Sequence, residues 1–366
     1  KSVTPFPLFN LIYMIIGITQ PTAGFRITRK LTAAATDGVP VRHLLLALLA
    51  LPACASTAAS DAEQPFLPVF ETNFPDPFIL PHRDGFLAYA TNPEGTAANV
   101  PMARSTNLVD WEFVRDAAAL HDAMPNLPPW AREGWTWAPE VVPHGDHYLL
   151  YFTAKERRSD LQCIGVAKSA DPLGPFTSDA TAPLVCQREN GGTIDPNVFV
   201  DDDGKRYLYF KNDGNHPDFG QKTDIFVQPL SQDGLALIDE PVALLTNDRP
   251  WEEHVIESPT MVRQGDGYVM FFSANHFGWE PHQRLSPYAM GYARCEGPLG
   301  PCVDAPENPI LHSYNDRKAG CLSGPGHQAV FEAGGRQFIV FHAHIATSGC
   351  RRTTRGRQMY IAPLLW

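Results

Sequence analysis

Three carboxylic acids stand at the start of similar segments of the chain. Asp76 opens DPFILPHRDGFLAYAT, Asp195 opens DPNVFVDDDGKRYLYFKN, and Glu257 opens ESPTMVRQGDGYVMFFSAN. Carboxyl groups that meet in a folded protein can act as acid and base, because a charged carboxylate raises the pKa of its neighbour and keeps that neighbour protonated near neutral pH. Cleavage of a glycosidic bond is a reaction that needs one charged and one protonated carboxyl.

The same pattern occurs in two further segments, which begin at Ala138 and His327 and read APEVVPHGDHYLLYFTA and HQAVFEAGGRQFIVFHAH. The five starts lie 62, 57, 62 and 70 residues apart. Each segment contains apolar positions, a polar turn and an aromatic-rich run, and pairs such as Asp203-Gly204 supply the positive φ angles that a tight hairpin turn requires. A hairpin repeated about every sixty residues is typical of a propeller blade.

Five periods predict an all-β chain that folds as a five-bladed β-propeller. The innermost strand of each blade lines the axis of a propeller, so we expect the five opening residues to form a ring at one mouth of the central channel. The predicted ring consists of Asp76, Ala138, Asp195, Glu257 and His327. A single acid in a turn is more often a solvated cap than a catalytic group, and the shared position in the repeat is what favours a site here.

The bulk composition is typical of a strand-rich, acidic protein. Among 366 residues there are 34 prolines and 28 glycines, 19% of the residues are charged, and the formal net charge is -11 at pH 7. Nucleic acids and anionic membrane surfaces attract clustered Lys and Arg, so this charge argues against both as partners. We expect a neutral substrate and a monomeric protein.

The first part of the chain has the pattern of an export signal. Arg42 and His43 precede an apolar run over 44–51, which is too short to span a bilayer, so no transmembrane segment is predicted. The run ends in Leu51-Pro52-Ala53-Cys54, which resembles a bacterial lipoprotein signal. Cys54 is therefore a candidate for a lipid anchor, with an ordinary signal peptide as the alternative.

These features divide the chain into three parts. We expect residues 1–38 to be leader sequence outside the mature protein, residues 39–64 to be the signal peptide and a linker, and residues 65–366 to be the propeller. The protein is then exported, and its location is periplasmic, extracellular or lipid-anchored.

Six cysteines follow Cys54, an even number that permits three disulfides in an exported protein. None stands in a CxxC or Cys/His array with zinc spacing, so metal binding by thiolates is not expected. Among the many pairings that six cysteines allow, proximity in the chain favours three. These are Cys163 with Cys186, Cys295 with Cys302, and Cys321 with Cys350.

Six short motifs, in order and at blade spacing, resemble glycoside hydrolase family 43, the five-bladed propellers that include arabinanases, arabinofuranosidases and β-xylosidases. The resemblance covers nearly all of 65–366. The motifs are Asp76-Pro77, Ser105-Thr106-Asn107-Leu108 with Trp111, Trp137-Ala138-Pro139-Glu140, Ile194-Asp195-Pro196-Asn197, Glu257-Ser258-Pro259 and Gly324-Pro325-Gly326-His327. Ser258 departs from the Gly that is common at its position in the family.

The resemblance implies an inverting hydrolase of arabinose- or xylose-containing plant polysaccharides or oligosaccharides. It implies that Asp76 is the general base that activates water, that Glu257 is the general acid, and that Asp195 orients the acid and tunes its pKa. Inversion requires the base and the acid to lie about 6.5 to 9.5 Å apart, so that a water molecule fits between the base and the sugar.

No cofactor is required by this chemistry, and a calcium ion is the one candidate. His327 resembles the axial His that in many members faces a buried water or a calcium ion, although a histidine satisfied between blades is an alternative. Trp135 and Trp137 can stack on a sugar ring or pack between blades. Asn212 follows the third hairpin in a rim loop and is a candidate substrate contact. The acidic run at 201–204 lacks the ligand spacing of a calcium loop and is interpreted as a turn.

Two other functions compete with this one. A non-catalytic carbohydrate-binding propeller would share the blades and the aromatic residues, but it has no need for all three carboxyls. A retaining, fructan-active propeller carries Arg-Asp-Pro where this chain has Ile194-Asp195-Pro196, so the residue before Asp195 favours the inverting class.

Overall fold

A computed structural model describes residues 14–15 and 66–366, except for 84, 94–95, 280–282, 317–319 and 348–349. The regular structure of these residues is β, apart from one short 3-10 turn at Arg188–Asn190. The predicted signal peptide and Cys54 lie outside the described residues, as does the predicted leader apart from a two-residue strand. That strand, β1 (Met14–Ile15), pairs in parallel with the last strand of the chain, β23 (Arg351–Leu365).

Five antiparallel sheets form the blades, so the predicted five-bladed propeller is confirmed. The first blade contains β2 (Phe78–His82), β3 (Gly85–Tyr89), β4 (Met102–Ser105) and β5 (Glu112–Phe113). The second contains β8 (Ala131–His144), β9 (His147–Glu156) and β10 (Gln162–Ser169). The third contains β11 (Thr193–Val200), β12 (Arg206–Asn212), β13 (Asp224–Leu230) and β14 (Val242–Thr246).

The last two blades complete the circle. The fourth blade contains β15 (Ile256–Gln264), β16 (Gly267–Ala274), β17 (Ala289–Cys295) and β18 (Cys302–Asp304). The fifth contains β21 (Gly326–Ala333), β22 (Arg336–Thr347) and β23. Two small hairpins lie between blades, β6 (Arg115–Asp116) with β7 (Ala119–Leu120) and β19 (Tyr314–Asp316) with β20 (Gly320–Leu322).

Alternation along the second strand of each blade explains why both faces of a blade are apolar. Successive side chains of a strand point to opposite faces of the sheet. In β12, Leu208 packs in a cluster with Tyr151 of the second blade, whereas Tyr207 and Tyr209 pack in a cluster with Met270 of the fourth. In the described part of the chain, one such buried cluster lies between each pair of adjacent blades. Burial between blades therefore holds the ring together.

The ring closes between the first and last blades. The Val69 amide donates to the Met359 carbonyl at 2.9 Å, and Phe70 forms an antiparallel bridge with Met359. The segment before the first blade thus pairs with the outer strand of the fifth blade.

All three disulfides predicted from proximity are present. They join Cys163 to Cys186, Cys295 to Cys302, and Cys321 to Cys350. Each links segments that are close in the chain, so the disulfides reinforce individual blades and loops. Across the described residues, we find no helix with the length and hydrophobicity needed to traverse a bilayer.

Candidate active site

The inner strands of the blades share a bend at one mouth of the channel. At this bend each blade has one non-glycine residue with positive φ, between 45° and 60°. Such values are uncommon for residues with a side chain and mark positions that the surrounding fold enforces. The five residues are Asp76, Ala138, Asp195, Ser258 and His327.

The predicted ring was therefore wrong at one position, because the fourth member is Ser258 and not Glu257. A β-bulge follows Glu257, and a bulge places two residues of one strand opposite one residue of its partner. Glu257 pairs with Ser273 immediately before the bulge, as Trp137 pairs with Thr153 and as the equivalent residues do in blades three and five. Glu257 still lines the same cleft as Asp76 and Asp195.

A second ring, from the strands that pair with the inner strands, holds these bends in place. In four blades a side chain near the end of the second strand accepts a hydrogen bond from the bend of the next blade. The acceptors are Thr91, Thr153, Ser273 and His342, which receive the amides of Ala138, Asp195, His327 and Asp76. The third blade has Lys211 at this position, which carries no acceptor. There the Ser258 amide donates to Oδ2 of Asp195 instead, at 2.9 Å.

Asp76 is buried among cationic and polar groups. Its Oδ1 lies 2.8 Å from Arg357 Nη1, 3.1 Å from His342 Nδ1 and 3.4 Å from His327 Nδ1, and Oδ2 accepts a hydrogen bond from the Thr91 hydroxyl. Burial alone would raise the pKa of Asp76, but Arg357 and then His327 hold it well below its usual value. His342 is neutral here, because burial lowers its pKa to about 3, and its Nδ1 accepts the Asp76 amide. Asp76 is therefore charged, as a general base must be.

Asp195 has a different environment, in which it retains a proton. Burial, opposed by His327 and Lys211 and reinforced by the charge of Glu257, raises the pKa of Asp195 to about 7. Oε1 of Glu257 accepts from the Tyr288 hydroxyl at 2.7 Å, and Oε2 accepts from Lys211 Nζ at 3.0 Å. One channel mouth thus contains a charged carboxylate, Asp76, and a carboxyl that keeps its proton near neutral pH, Asp195, with Glu257 beside it.

An open cleft of about 900 Å³ lies over these acids and extends along the loops of the third and fourth blades. Trp137 and His327 are part of its wall. The wall is completed by Asp76, Thr91, Ile194, Asp195, Lys211, Asp213, Asn215, His216, Pro217, Gly220, Gln221, Lys222, Asn247, Glu253, His254, Val255, Glu257, His276, Phe277, Tyr288 and Arg357. The volume suits a sugar together with its leaving group.

Two residues predicted from the sequence as substrate contacts lie elsewhere. Trp135 is 42% exposed outside this wall, with Lys155 Nζ 4.5 Å from its ring centroid and the Trp137 ring 6.2 Å away. Asn212 is buried, and its amide is used within its own blade, where it donates to the Lys222 carbonyl and accepts from the Asp224 amide. We therefore assign the cleft-facing role in this segment to Lys211 and not to Asn212.

Among the residues that the structure describes, His327 is not part of a group of three His, Cys, Asp or Glu side chains close enough to share a metal ion. Among the described residues, the only three ligand-type side chains whose ligand atoms lie within 4.8 Å of one another are Glu156, Cys163 and Cys186, and the two cysteines form a disulfide. His327 Nδ1 instead lies beside the Asp76 carboxylate. No step of the chemistry below is routed through a metal ion.

The residues that contact the carboxyls and were not given that role from the sequence include Lys211, Tyr288 and Arg357. Lys211 had a detectable signal, because a lysine directly continues the buried aromatic strand over 207–210. Tyr288 and Arg357 had none, since they lie outside the repeated hairpin pattern. Arg357 reaches Asp76 across 281 residues of chain, which only closure of the ring makes possible.

A methyl group at Gly326 is expected to displace the Tyr288 ring, which contacts Glu257. A Cβ at this position would overlap the ring of Tyr288, which donates to Glu257. Gly326→Ala should cost about 1–3 kcal/mol of stability and lower kcat by about 10²-fold, through misplacement of Tyr288. Thermal unfolding and steady-state rates test this, with Gly267→Ala as the control because a Cβ there meets only a carbonyl oxygen at 3.6 Å. Wild-type activity in Gly326→Ala would contradict the role given to Tyr288.

Comparison with known proteins agrees with the fold. The sequence profile of Glycosyl hydrolases family 43 matches residues 66–366. Beta-D-galactofuranosidase xynD of Aspergillus niger is 29% identical over 247 residues, which are 63% of this chain and 64% of that enzyme. Extracellular exo-alpha-(1->5)-L-arabinofuranosidase ArbA of Cellvibrio japonicus is 24% identical over 324 residues, covering 83% of this chain and 86% of that one.

A solved structure gives the same result in three dimensions. The crystal structure of a thermostable family-43 glycoside hydrolase superposes with a TM-score of 0.66 at 30% sequence identity, covering 80% of this chain and 90% of that chain. The profile match spans all five blades and includes each of the three carboxyls in the cleft. The resemblance inferred from the motifs is confirmed, and this chain belongs to glycoside hydrolase family 43.

Proposed function

We propose that the protein is an inverting glycoside hydrolase that acts on arabinose- or xylose-containing polysaccharides or oligosaccharides. The observation that carries the proposal is that three buried carboxyls meet in one cleft, with Arg357 beside Asp76 and Glu257 beside Asp195. The pKa of Asp76 is held well below its usual value, whereas that of Asp195, beside Glu257, is raised to about 7. A base that is charged and an acid that keeps its proton at the same pH are what hydrolysis of a glycoside requires.

In the proposed reaction, water is the nucleophile and no covalent sugar–enzyme intermediate forms. Asp76 accepts a proton from the water as its oxygen bonds the anomeric carbon. Glu257 donates its proton to the departing glycosidic oxygen as the carbon–oxygen bond breaks. Asp195 stays beside Glu257 and favours the protonated form of the pair while the substrate binds. Trp137 lies in the cleft wall, where its ring can stack on a sugar face.

The stereochemistry of the first product tests this mechanism. We expect proton NMR during early hydrolysis to show an anomer of inverted configuration before mutarotation mixes the two forms. A retained configuration would exclude the general-base role of Asp76 and would favour the fructan-active class of propeller. No sugar release from any substrate would favour a carbohydrate-binding propeller.

Chromatography of products from a panel of glycans tests the sugar specificity. The panel should contain arabinan, arabinoxylan and xylo-oligosaccharides. It should also contain β-D-galactofuranosides, because one relative is named for that sugar and another for α-(1->5)-L-arabinofuranosides. Preference for a galactofuranoside over every pentose substrate would overturn the proposed substrate class, while the hydrolytic mechanism would stand.

The rate is expected to have a bell-shaped dependence on pH. Activity is lost as pH falls through the pKa of Asp76, which lies below the ordinary aspartate value of about 3.9, because the base becomes protonated. Activity is lost as pH rises near 7, because Asp195, which lies beside the acid, then gives up its proton. Measurement of kcat/KM between about pH 3 and 9 should show the alkaline limb near neutral pH, with activity that persists to the acidic end of the range. An acidic limb near pH 5 would contradict the assignment of Asp76.

We also propose export, with lipidation at Cys54 as the alternative to an ordinary signal peptide. The support is the apolar run that ends in Leu51-Pro52-Ala53-Cys54, together with the name of the Cellvibrio japonicus relative, which describes that enzyme as extracellular. Mass spectrometry of the N-terminus of protein from the membrane fraction decides between them. An unmodified N-terminus beyond residue 54 would leave an ordinary signal peptide.

A further inference from the structure

Lys211 interrupts a rule that the other four blades obey. At the equivalent position they have Thr91, Thr153, Ser273 and His342, each of which accepts the backbone amide of the next blade. An ammonium group has donors and no acceptor, so Lys211 cannot make this contact. The amide of Ser258 is satisfied by Asp195 instead. The position of Lys211 is thus not explained by the architecture of the ring.

The contacts of Lys211 point to the acid. Its side chain is fully buried, and Nζ lies 3.0 Å from Oε2 of Glu257, 2.7 Å from Oδ1 of Asn215 and 3.6 Å from Oδ1 of Asp213. Burial would lower the pKa of Lys211, but the charges of Glu257 and Asp213 raise it above its usual value. A buried ammonium group is costly unless it is paired, so this lysine stays charged and attached to its carboxyl partners.

This attachment fixes the carboxyl of Glu257 at both oxygens. Tyr288 donates to Oε1 at 2.7 Å and Lys211 to Oε2 at 3.0 Å, so the plane of the carboxyl is set by two donors from different parts of the chain. The positive charge of Lys211 also opposes the mutual repulsion of Asp195 and Glu257. The charged or titratable groups that face this pair are Lys211, Asp213, Tyr288, His327 and Asp76.

We propose that Lys211 is a positioning residue for the general acid, which aims the Glu257 carboxyl at the leaving oxygen and sets the pH at which the Asp195–Glu257 pair loses its proton. The inference rests on the proposed glycoside hydrolase function. In this role Lys211 does not contact the substrate, and it affects the reaction only by holding the Glu257 carboxyl.

Lys211→Met tests the proposal because methionine has a similar length and no charge. Without the ammonium group, the pair should hold its proton more tightly, and the alkaline limb of kcat/KM should move up by about 1–3 pH units. Misplacement of the acid should lower kcat by about 10²-fold on glycosides with a sugar leaving group, and much less on activated aryl glycosides, which need little protonation. Lys205→Met, which removes an exposed lysine of the same blade, should leave both properties unchanged.

Two outcomes would overturn the proposal: an unmoved alkaline limb, or an equal loss of rate on both kinds of leaving group. Loss of a charge from a buried pair can prevent folding. If Lys211→Met does not fold, Lys211→Gln keeps a donor without the charge, and the same shift in the alkaline limb is expected.

Failure of the proposed function can be recognised separately, since the wild-type protein would then hydrolyse no glycoside. In that case the carboxyl titration of Asp195 and Glu257, followed by carbon-13 NMR in the wild type and in the Lys211 variants, still tests the inference. Identical titration in both proteins would refute it.

Discussion

Replacement of Asp76 by Asn is expected to lower kcat by about 10²–10⁴-fold, because the amide cannot accept the proton of the attacking water. Arg357 and His327 favour the charged form of the carboxylate, and the Thr91 hydroxyl donates to Oδ2, a contact that the amide oxygen of asparagine can keep. The loss should be similar for good and poor leaving groups, since both kinds of substrate need an activated water in the single displacement step. Steady-state rates on an aryl glycoside and on an oligosaccharide measure this.

Asp201→Asn provides a matched control for Asp76→Asn. Asp201 is also an aspartate paired with an arginine, Arg263 Nη1 at 3.0 Å, but it lies in the hairpin turn of the third blade and outside the cleft wall. Its replacement should leave kcat unchanged, while circular dichroism and thermal unfolding verify that both variants fold. A folded Asp76→Asn protein with kcat within about tenfold of the wild type would remove Asp76 from the mechanism.

Replacement of Glu257 by Gln is expected to have an effect that depends on the leaving group. With a sugar as the leaving group, kcat should fall by about 10²–10⁴-fold, because the departing oxygen is no longer protonated. With an activated aryl leaving group most of the rate should remain, since that oxygen departs as a stable anion. Glutamine keeps an acceptor for Tyr288 or Lys211, so the fold is preserved better than with alanine.

The two substrates serve as internal controls for Glu257→Gln, since a folding defect would reduce both rates equally. The variant should also lose the alkaline limb of the pH profile while keeping the acidic limb set by Asp76. An equal loss of rate on every leaving group, in a protein that unfolds at the wild-type temperature, would show that Glu257 is not the acid. Asp195→Ala removes the carboxyl beside the acid. The variant should have a lower kcat on substrates with a sugar leaving group, and the alkaline limb of its pH profile should differ from that of the wild type.

Much of the fold could be predicted from the sequence because the information is local and repeated. Asp-Gly turns between runs of β-forming residues define hairpins wherever they occur, and five of them at similar spacing define five blades. The same repetition placed Asp76, Asp195 and His327 at one channel mouth, where the structure has them. The disulfide pairs followed from short separations, since neighbouring cysteines in a blade have few other partners within reach.

The repeat pattern predicted the wrong residue where the register of a strand changes by one position. A bulge after Glu257 shifts the ring position to Ser258, and Glu257 reaches the cleft from one residue earlier. Alternation along β12 similarly directs Lys211 to the acid and Asn212 to the backbone of its own blade. A shift of one residue in the pairing register moves each side chain to the opposite face of the sheet. When both faces of a strand are apolar, the hydrophobic pattern does not determine that register.

The sequence by itself therefore determined the class of fold, the number of blades and three carboxyls at related positions, because hairpins and their spacing depend on nearby residues. Only the tertiary structure decided which neighbouring groups shift the pKa of each carboxyl. Arg357 meets Asp76 through closure of the fifth blade on the first, and Tyr288 and Lys211 meet Glu257 from separate loops and strands. Such contacts arise from how whole blades pack against one another, and the depth of burial that shifts each pKa exists only once that packing is complete.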